Sequence, residues 1–330
     1  MTNLMTDILA DLAQPGALFI AVVIDAILGD PAWFYRHFPH PVVWIGWIIG
    51  RADQLFNREG DQPLRRRRAG LAVITVLTLA ALLLGGLLQT LLLALPLGKI
   101  LLAVVMSSLI AQKSLYVHVA AVASGLEISG VEGGRIAVAK IVGRDPESLD
   151  RAGISRAALE SLAENFSDGI VAPVFWAALL GLPGLLAYKV INTADSMIGH
   201  RSERHLHFGW AAARLDDLVN LIPARLSGLL LILAAAIMPE VKALRAWTAM
   251  WRDAAHHRSP NAGWPEAAMA GGLGVALAGP RRYDGELVMD HWMGKGGTPY
   301  ASAIDIRRGL QLYMLACGIE ALILLALWLG

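Results

Sequence analysis

The chain has 330 residues, 56% of them hydrophobic, a formal net charge of +1 and a mean hydropathy of +0.53. That is too apolar and too sparsely charged for an ordinary soluble domain of this length, and so small a net charge offers nucleic acid no electrostatic footprint. The single cysteine, Cys317, excludes an internal disulfide framework and a cysteine-based zinc site and reads as a small apolar residue of the last helix.

The N-terminus lacks the basic start of a cleavable secretory signal, and Asp7 and Asp11 precede the first apolar stretch, so the mature chain is expected to begin near Met1. Residues 17–28 are apolar but short, with Asp25 inside; they cross a bilayer only if their helix begins near Ile8, with Pro15 early in it. Residues 70–95, 100–122 and 310–329 each approach the roughly 20 apolar residues a spanning helix needs. Gly98 and Lys99 separate the first two and predict a tight helical hairpin. Between residues 129 and 168 the pattern predicts helices in a polar layer. One covers 132–140, a turn follows at Gly143-Arg144-Asp145-Pro146, and a second covers 155–165 with Leu159, Leu162 and Phe166 on its apolar stripe. Residues 170–191 contain Pro173, Gly181, Pro183 and Gly184, which predict a re-entrant hairpin or a kinked span. Residues 226–238 make only roughly 20 Å of helix against a hydrocarbon core of roughly 30 Å, so they span only if residues 218–225 join them.

The expected fold is therefore all-α: a polytopic integral membrane protein with re-entrant or broken helices and a cytoplasmic polar helical layer. Residues 1–330 are expected to form a single membrane-embedded catalytic domain, with no separate soluble domain. Arg65, Arg66, Arg67 and Arg68 stand just before the second span and assign that loop to the cytoplasm. The segments 124–168, 192–217 and 239–308 are also basic. If all are cytoplasmic, the two ambiguous apolar stretches each enter and leave from one face.

Ionisable groups inside membrane-like sequence are functional candidates, and here they form clusters. Arg156, Glu160, Glu164 and Asp168 recur every four residues and can share one helix face. A solvated ladder of ion pairs is the plain alternative, but three carboxylates on one face repel unless a cation such as Mg²⁺ joins them, and the acidic turn from Asn165 to Gly169 follows directly. Lys189, Asn192 and Asp195 end an apolar stretch, where capping and snorkelling would also explain them. Arg214, Asp216, Asp217, Asn220 and Arg225 pair acids suited to Mg²⁺–phosphate with arginines suited to phosphate oxygens; a membrane-edge helix cap is the alternative. Asn261 and Glu266 stand in a small-residue segment, PNAGWPEAAMAGGLG, that allows either close backbone approach or plain helix packing. His37, His40, His200, His205 and His207 read as structural or interfacial, His256 and His257 as surface, and the Lys295-Gly-Gly-Thr run is too generic to name. Neither a GxxxxGK[ST] phosphate loop nor a GxGxxG after a strand is present, so a nucleotide would bind by another arrangement.

Several of these segments, in order, resemble the cobalamin-biosynthesis membrane family called CobD or CbiB, adenosylcobinamide-phosphate synthase. They are residues 25–31 (DAILGDP), 40–46 (HPVVWIG), 140–145 (KIVGRD), 160–169 (ESLAENFSDG), 188–199 (YKVINTADSMIG), 208–225, 260–272 and 283–286. The resemblance implies an ATP- and Mg²⁺-dependent ligase of the bacterial inner membrane, multi-pass, with its site facing the cytoplasm. It would join adenosylcobyric acid to (R)-1-aminopropan-2-ol or its O-phosphate, among membrane lipid and beside other membrane-associated cobalamin-assembly enzymes. On that reading Asp195, Asp216 and Asp217 hold Mg²⁺–ATP with Asn192 and Asn165 assisting, and Asn261 and Glu266 also serve the cofactor. Arg144, Arg214, Arg225 and Lys189 hold phosphates or the corrinoid carboxylate. Glu160, Glu164 or Asp168 holds metal or receives the amine proton. A membrane phosphotransferase, a transporter and a non-catalytic sensor of the same architecture are the competing readings.

Overall fold

The computed structural model describes residues 14–142, 146–283 and 286–330, with the backbone alone at Ala32, 281–283 and 286–288. The candidate ligand Arg144 and the helix extension toward Ile8 lie outside the described residues. Helices carry the fold: α1 (Pro15–Leu28), α2 (Ala32–Tyr35), α3 (Pro41–Phe56), α4 (Pro63–Leu93), α5 (Gly98–Ser107), α6 (Gln112–Ile128), α7 (Gly130–Val138), α8 (Arg151–Phe166), α9 (Ala172–Ile198), α10 (Trp210–Val219), α11 (Leu221–Ile237), α12 (Ala243–Asp253), α13 (Gly263–Leu273) and α14 (Ala303–Leu329). Two short antiparallel ladders, absent from the sequence reading, pair β1 (Leu277–Ala278) with β4 (Trp292–Met293) and β2 (Arg281–Tyr283) with β3 (Glu286–Val288).

Local chemistry sets these boundaries. Pro15, Pro41 and Pro63 open α1, α3 and α4, where a missing N–H is harmless and φ is already helical. Asp150 caps α8 by accepting from the Gly153 N–H at 2.6 Å. The predicted span 100–122 is interrupted after Ser107. Ser107 and Ser108 turn their hydroxyls back onto the carbonyls of Val104 and Val105, at 2.9 and 2.8 Å, as α5 ends. Among the described residues, four helical stretches are long and apolar enough to cross a membrane: Pro63–Leu93, Gly98–Ile128, Arg151–Ile198 and Ala303–Leu329. Trp210–Val219 with Leu221–Ile237 qualifies as a fifth only as a bent pair, as the shortness of 226–238 required. Leu71, Val76, Leu79, Leu83 and Leu87 of α4 stand exposed, which suits lipid rather than water. The protein is an all-α, multi-pass membrane protein.

Packing divides the chain into two compact units. The first comprises Met1–Ala111, Ala172–Asn220 and Leu324–Gly330. In it α4 packs along α9, and Gly85 is the contact that allows this. A Cβ there would lie 2.6 Å from the Cα of Pro183. The helix breakers of α9 act at Gly181, which adopts φ 65° and ψ −151°. That break removes a helical acceptor from the Leu182 N–H. Buried Gln89 of α4 replaces it, its side-chain oxygen accepting from Leu182 at 2.8 Å. Phe208, Ile49, Ile74, Ile191 and Ile198 form an apolar cluster around the far end of α9. Beside it Asp53 accepts from Asn57 at 2.7 Å and from Arg204 at 2.7 and 3.0 Å, while Arg66 donates to Asn57 at 2.8 Å and to the carbonyl of Arg204. The loop 199–209 is thereby fastened to α3 and α4.

The second unit comprises Gln112–Val171 and Leu221–Ile323. Helix α8 runs through it. Leu159, Leu162 and Phe166 are buried as the stripe predicts, and so are Ser155, Ala157, Ala158 and Ala163. The helix widens into a π-helical turn at Ser167–Val171. Phe166 meets Tyr313 edge-on at 5.6 Å, and the Tyr313 hydroxyl donates to the Gln112 carbonyl at 2.8 Å.

Two outcomes follow for the first unit. Gly85→Leu drives a side chain into the Pro183 backbone and should lower stability by about 1–3 kcal/mol, read as a lower midpoint of thermal unfolding in detergent. Burial alone would raise the Asp53 carboxyl, but the hydrogen bond from Asn57 and the bonds and charge of Arg204 outweigh it and hold the group below the usual carboxylate range. The stabilisation is complete above the unfolded-state value of about 3.9 and drains away as pH falls through that value and on below it. Asp53→Asn should therefore cost about 1–2 kcal/mol at pH 7, and the difference from wild type should shrink in unfolding curves taken at progressively lower pH.

Candidate active site

In the first unit the last turns of α9 and the body of α10 bring together Asn192, Asp195, Asp216 and Asp217. Asp216 is 9% exposed. One oxygen accepts from Asn220 at 3.0 Å and the other from Asn192 at 3.4 Å, and the Tyr188 hydroxyl donates to the Asn220 side-chain oxygen at 3.0 Å. The chain Tyr188–Asn220–Asp216–Asn192 thus fixes one carboxylate from both sides. Asp195 and Asp217 are near enough to act on Asp216 electrostatically, and Arg201 of the following loop brings positive charge to bear on Asp217. Gly199 is needed here, because a Cβ would collide with the Asp195 carboxylate. Arg214 reaches Asp217 at 3.4 Å across an exposed surface. Lys189 is buried.

Among the described residues, no three His, Cys, Asp or Glu side chains form a ready-made metal cage. The donor set is nevertheless all oxygen, from carboxylates held by amides. Mg²⁺ keeps several waters and is commonly held by one or two carboxylates plus substrate phosphates. These residues fit that ion without a closed cage.

The second unit holds a cavity of about 210 Å³ lined by Glu160, Glu164 and Glu266 together with His256, His257, Arg258, Asp290 and His291. Glu160 is 8% exposed and Glu266 3%. Glu160 accepts from the Ala278 N–H at 2.8 Å. The Ser259 N–H donates to His257 Nδ1 at 3.0 Å, which leaves Nε2 facing a Glu266 oxygen at 3.6 Å. Arg258 pairs with Asp290 at 2.6 Å, and the rings of His256 and His291 lie 5.1 Å apart.

The four-residue ladder is thus only partly realised. Glu160 and Glu164 share the cavity. Arg156 instead donates to the Pro299 carbonyl and lies 5.8 Å from the Trp292 ring. Asp168 falls in the π-helical turn, which shifts the helical phase. Asn165 donates to the Ser161 carbonyl at 2.9 Å. Arg225 donates to the Leu221 carbonyl and sits 4.3 Å over the Trp264 ring. Asn261 is buried beside α13, and Glu266, expected with the cofactor, joins Glu160 and Glu164. Of the three histidines of the cavity, His256 and His257 read from sequence as surface groups, and His291 carries no sequence expectation. The only signal for them was the run His256-His257-Arg258 shortly before Glu266; nothing in the spacing of Asp290 and His291 connects them to it.

Comparison with known proteins gives this geometry a context. The family model described as CobD/Cbib protein matches residues 18–313. The cobalamin biosynthesis protein CobD of Sinorhizobium sp is 51% identical over 312 residues, covering 94% of this chain and 97% of that protein. Those of Rhizobium meliloti (strain 1021) and Rhodobacter capsulatus are 49% identical over 304 residues and 48% over 296, covering 92% and 90% of this chain and 93% and 91% of theirs. No solved structure is significantly similar. With the family pattern running nearly end to end, the chain belongs to the CobD/CbiB family of cobalamin biosynthesis proteins.

Proposed function

We propose that this protein is an ATP- and Mg²⁺-dependent ligase that joins the free carboxylate of adenosylcobyric acid to the amine of (R)-1-aminopropan-2-ol or its O-phosphate, giving adenosylcobinamide or its phosphate. The observation that carries this reading is the buried Asp216, held by two amides beside Asp195 and Asp217, in a chain whose relatives are named for cobalamin biosynthesis. A carboxylate is a poor electrophile, and an amine attacks only when neutral, so the protein needs groups for both problems. ATP supplies the phosphoryl group that turns the carboxylate into an acyl phosphate, and Mg²⁺ offsets the charge that develops on it.

The chain's own residues supply the rest. Asp195, Asp216 and Asp217 hold the metal, and Asn192 and Asn220 keep Asp216 oriented for it. Arg214, Arg225, Arg144 and Lys189 serve phosphate oxygens or the corrinoid carboxylate. Glu160, Glu164 and Glu266, with His257 set by the Ser259 N–H, form an acidic cavity suited to a small ammonium group. With Nδ1 accepting from Ser259, the neutral His257 ring carries its proton on Nε2 toward Glu266, so the proton of the amine goes to a cavity carboxylate, Glu160 or Glu164. The site is expected to face the cytoplasm, where ATP is available.

The direct test incubates purified protein with Mg²⁺–ATP, adenosylcobyric acid and each amine and weighs the corrinoid product. A mass gain equal to the amine less one water is expected; an unchanged corrinoid with every amine rejects the ligase. Asp216→Asn should lower product formation by about 100-fold or more while the protein remains membrane-inserted and folded. Normal turnover in that variant would remove Asp216 from the metal site. Glu164→Gln should lower the amide-forming rate by about 100-fold without weakening ATP binding, and the loss should ease as pH rises and more of the amine is neutral.

A further inference from the structure

A second cavity of the Leu221–Ile323 region, about 400 Å³, lies between the start of α12, the end of α13 and the turn around Lys295. Its lining carries Arg245, Arg252 and Lys295, glycines from α13 and the turn, and no carboxylate. Asp253 stands behind the turn rather than in the cavity. Its oxygens accept from the N–H groups of Gly294 and Lys295 at 2.9 and 3.0 Å and bind the Arg252 guanidinium at 2.6 and 2.7 Å. Arg252 in turn donates to the Lys295 carbonyl at 2.9 Å. Asp253 and Arg252 are therefore occupied in shaping the turn. Among the described residues no carboxylate pairs with Arg245 or Lys295, so their two positive charges stand uncompensated at the cavity.

The glycines are required by backbone geometry. Gly274, Gly294 and Gly296 have φ of 74°, 76° and 94°, which side-chain-bearing residues rarely adopt. Gly297 abuts the Val275 backbone so closely that a Cβ would overlap it, whereas at Gly274 and Gly296 a Cβ would meet nothing within 4 Å. Those two positions leave the backbone open to an approaching group. The Gly296 N–H takes no part in the hydrogen bonds that tie the turn. The C-terminal end of α13 would oppose an anion, but the Ala270 carbonyl already accepts from Gly274 and Val275, at 2.9 and 3.1 Å.

We infer that this cavity is a phosphate-binding site, with Lys295 and Arg245 supplying charge and the bare backbone at Gly296 allowing close approach. Glycine-bounded turns with adjacent cations suit phosphate oxygens because the oxygens can reach the main chain. Its ligand is a soluble phosphate or pyrophosphate group, and the site does not depend on the ligase reading. Leu244, Trp247 and Trp251 of α12 are exposed, so a lipid headgroup is the other source of the same chemistry.

The full-length protein in phosphatidylcholine nanodiscs is titrated with pyrophosphate by calorimetry, and retention of phosphatidate is followed in parallel by native mass spectrometry. Lys295→Gln and Arg245→Gln should each weaken pyrophosphate binding by about tenfold, with Lys295→Arg restoring it and the thermal midpoint unchanged in all three. A variant effect confined to phosphatidate supports the site and assigns it to a headgroup. Unchanged binding of both probes in both Gln variants overturns it. Amide formation is measured on the same samples. If no amide forms but pyrophosphate binding still falls in the variants, the ligase reading fails and the phosphate site stands. If amide forms while both probes bind the variants normally, the reverse holds.

Discussion

A carboxylate withdrawn from water in a membrane protein is tolerable only if donors meet it, because an unsatisfied buried charge costs several kcal/mol. Asp216 shows how the chain meets that demand. Two amides face its two oxygens, and one of them is itself held by Tyr188. Those partners come from α9 and from the residue that ends α10, so the packing of α10 against α9 is what brings them together. Glu160 follows the same rule with different means, accepting a main-chain N–H from β1. In both places an acidic group is kept by orienting its surroundings.

How much of this was legible depended on whether a feature is local. The spans beginning near residues 70 and 310 could be read because each is a long uninterrupted apolar run. The break in α9 was signalled by Gly181 and Pro183, and the shortness of 226–238 matches a helix that reaches spanning length only with the bent segment before it. Ser107 and Ser108 gave no comparable warning, since serine is compatible with a continuing helix. Burial of α8 was understated because alanine and serine suit either an exposed or a packed face. The candidate metal carboxylates could be grouped because Asn192 with Asp195 and Asp216 with Asp217 are neighbours in sequence. The acidic cavity could not, because His257, Asp290 and Glu160 meet only through tertiary packing and obey no common period. Arg156 shows the opposite failure: a perfect four-residue spacing that tertiary contacts with Pro299 and Trp292 override.

Helix α13 joins two contrasting environments within one unit. Glu266, in its first turn, lines the acidic cavity, while Gly271 near its end lines the basic one. Five residues of helix advance roughly 7.5 Å, so opposite charge preferences are set up along less than two turns. The small residues of α13 make this possible. Gly271 lets α12 approach so near that a Cβ would touch Ala249 and the Arg245 carbonyl, which brings Arg245 to that end.

Gln89 carries a consequence for how such spans are judged. It is a polar residue near the end of an otherwise oily helix, and any hydropathy profile would improve if leucine replaced it. Yet it supplies the acceptor that the interrupted neighbour lacks, so the change that eases insertion of α4 would strand an N–H of α9 inside the bundle. Optimising each segment for lipid would thus work against assembly of the pair, and the imperfection in one segment exists for the defect in the other.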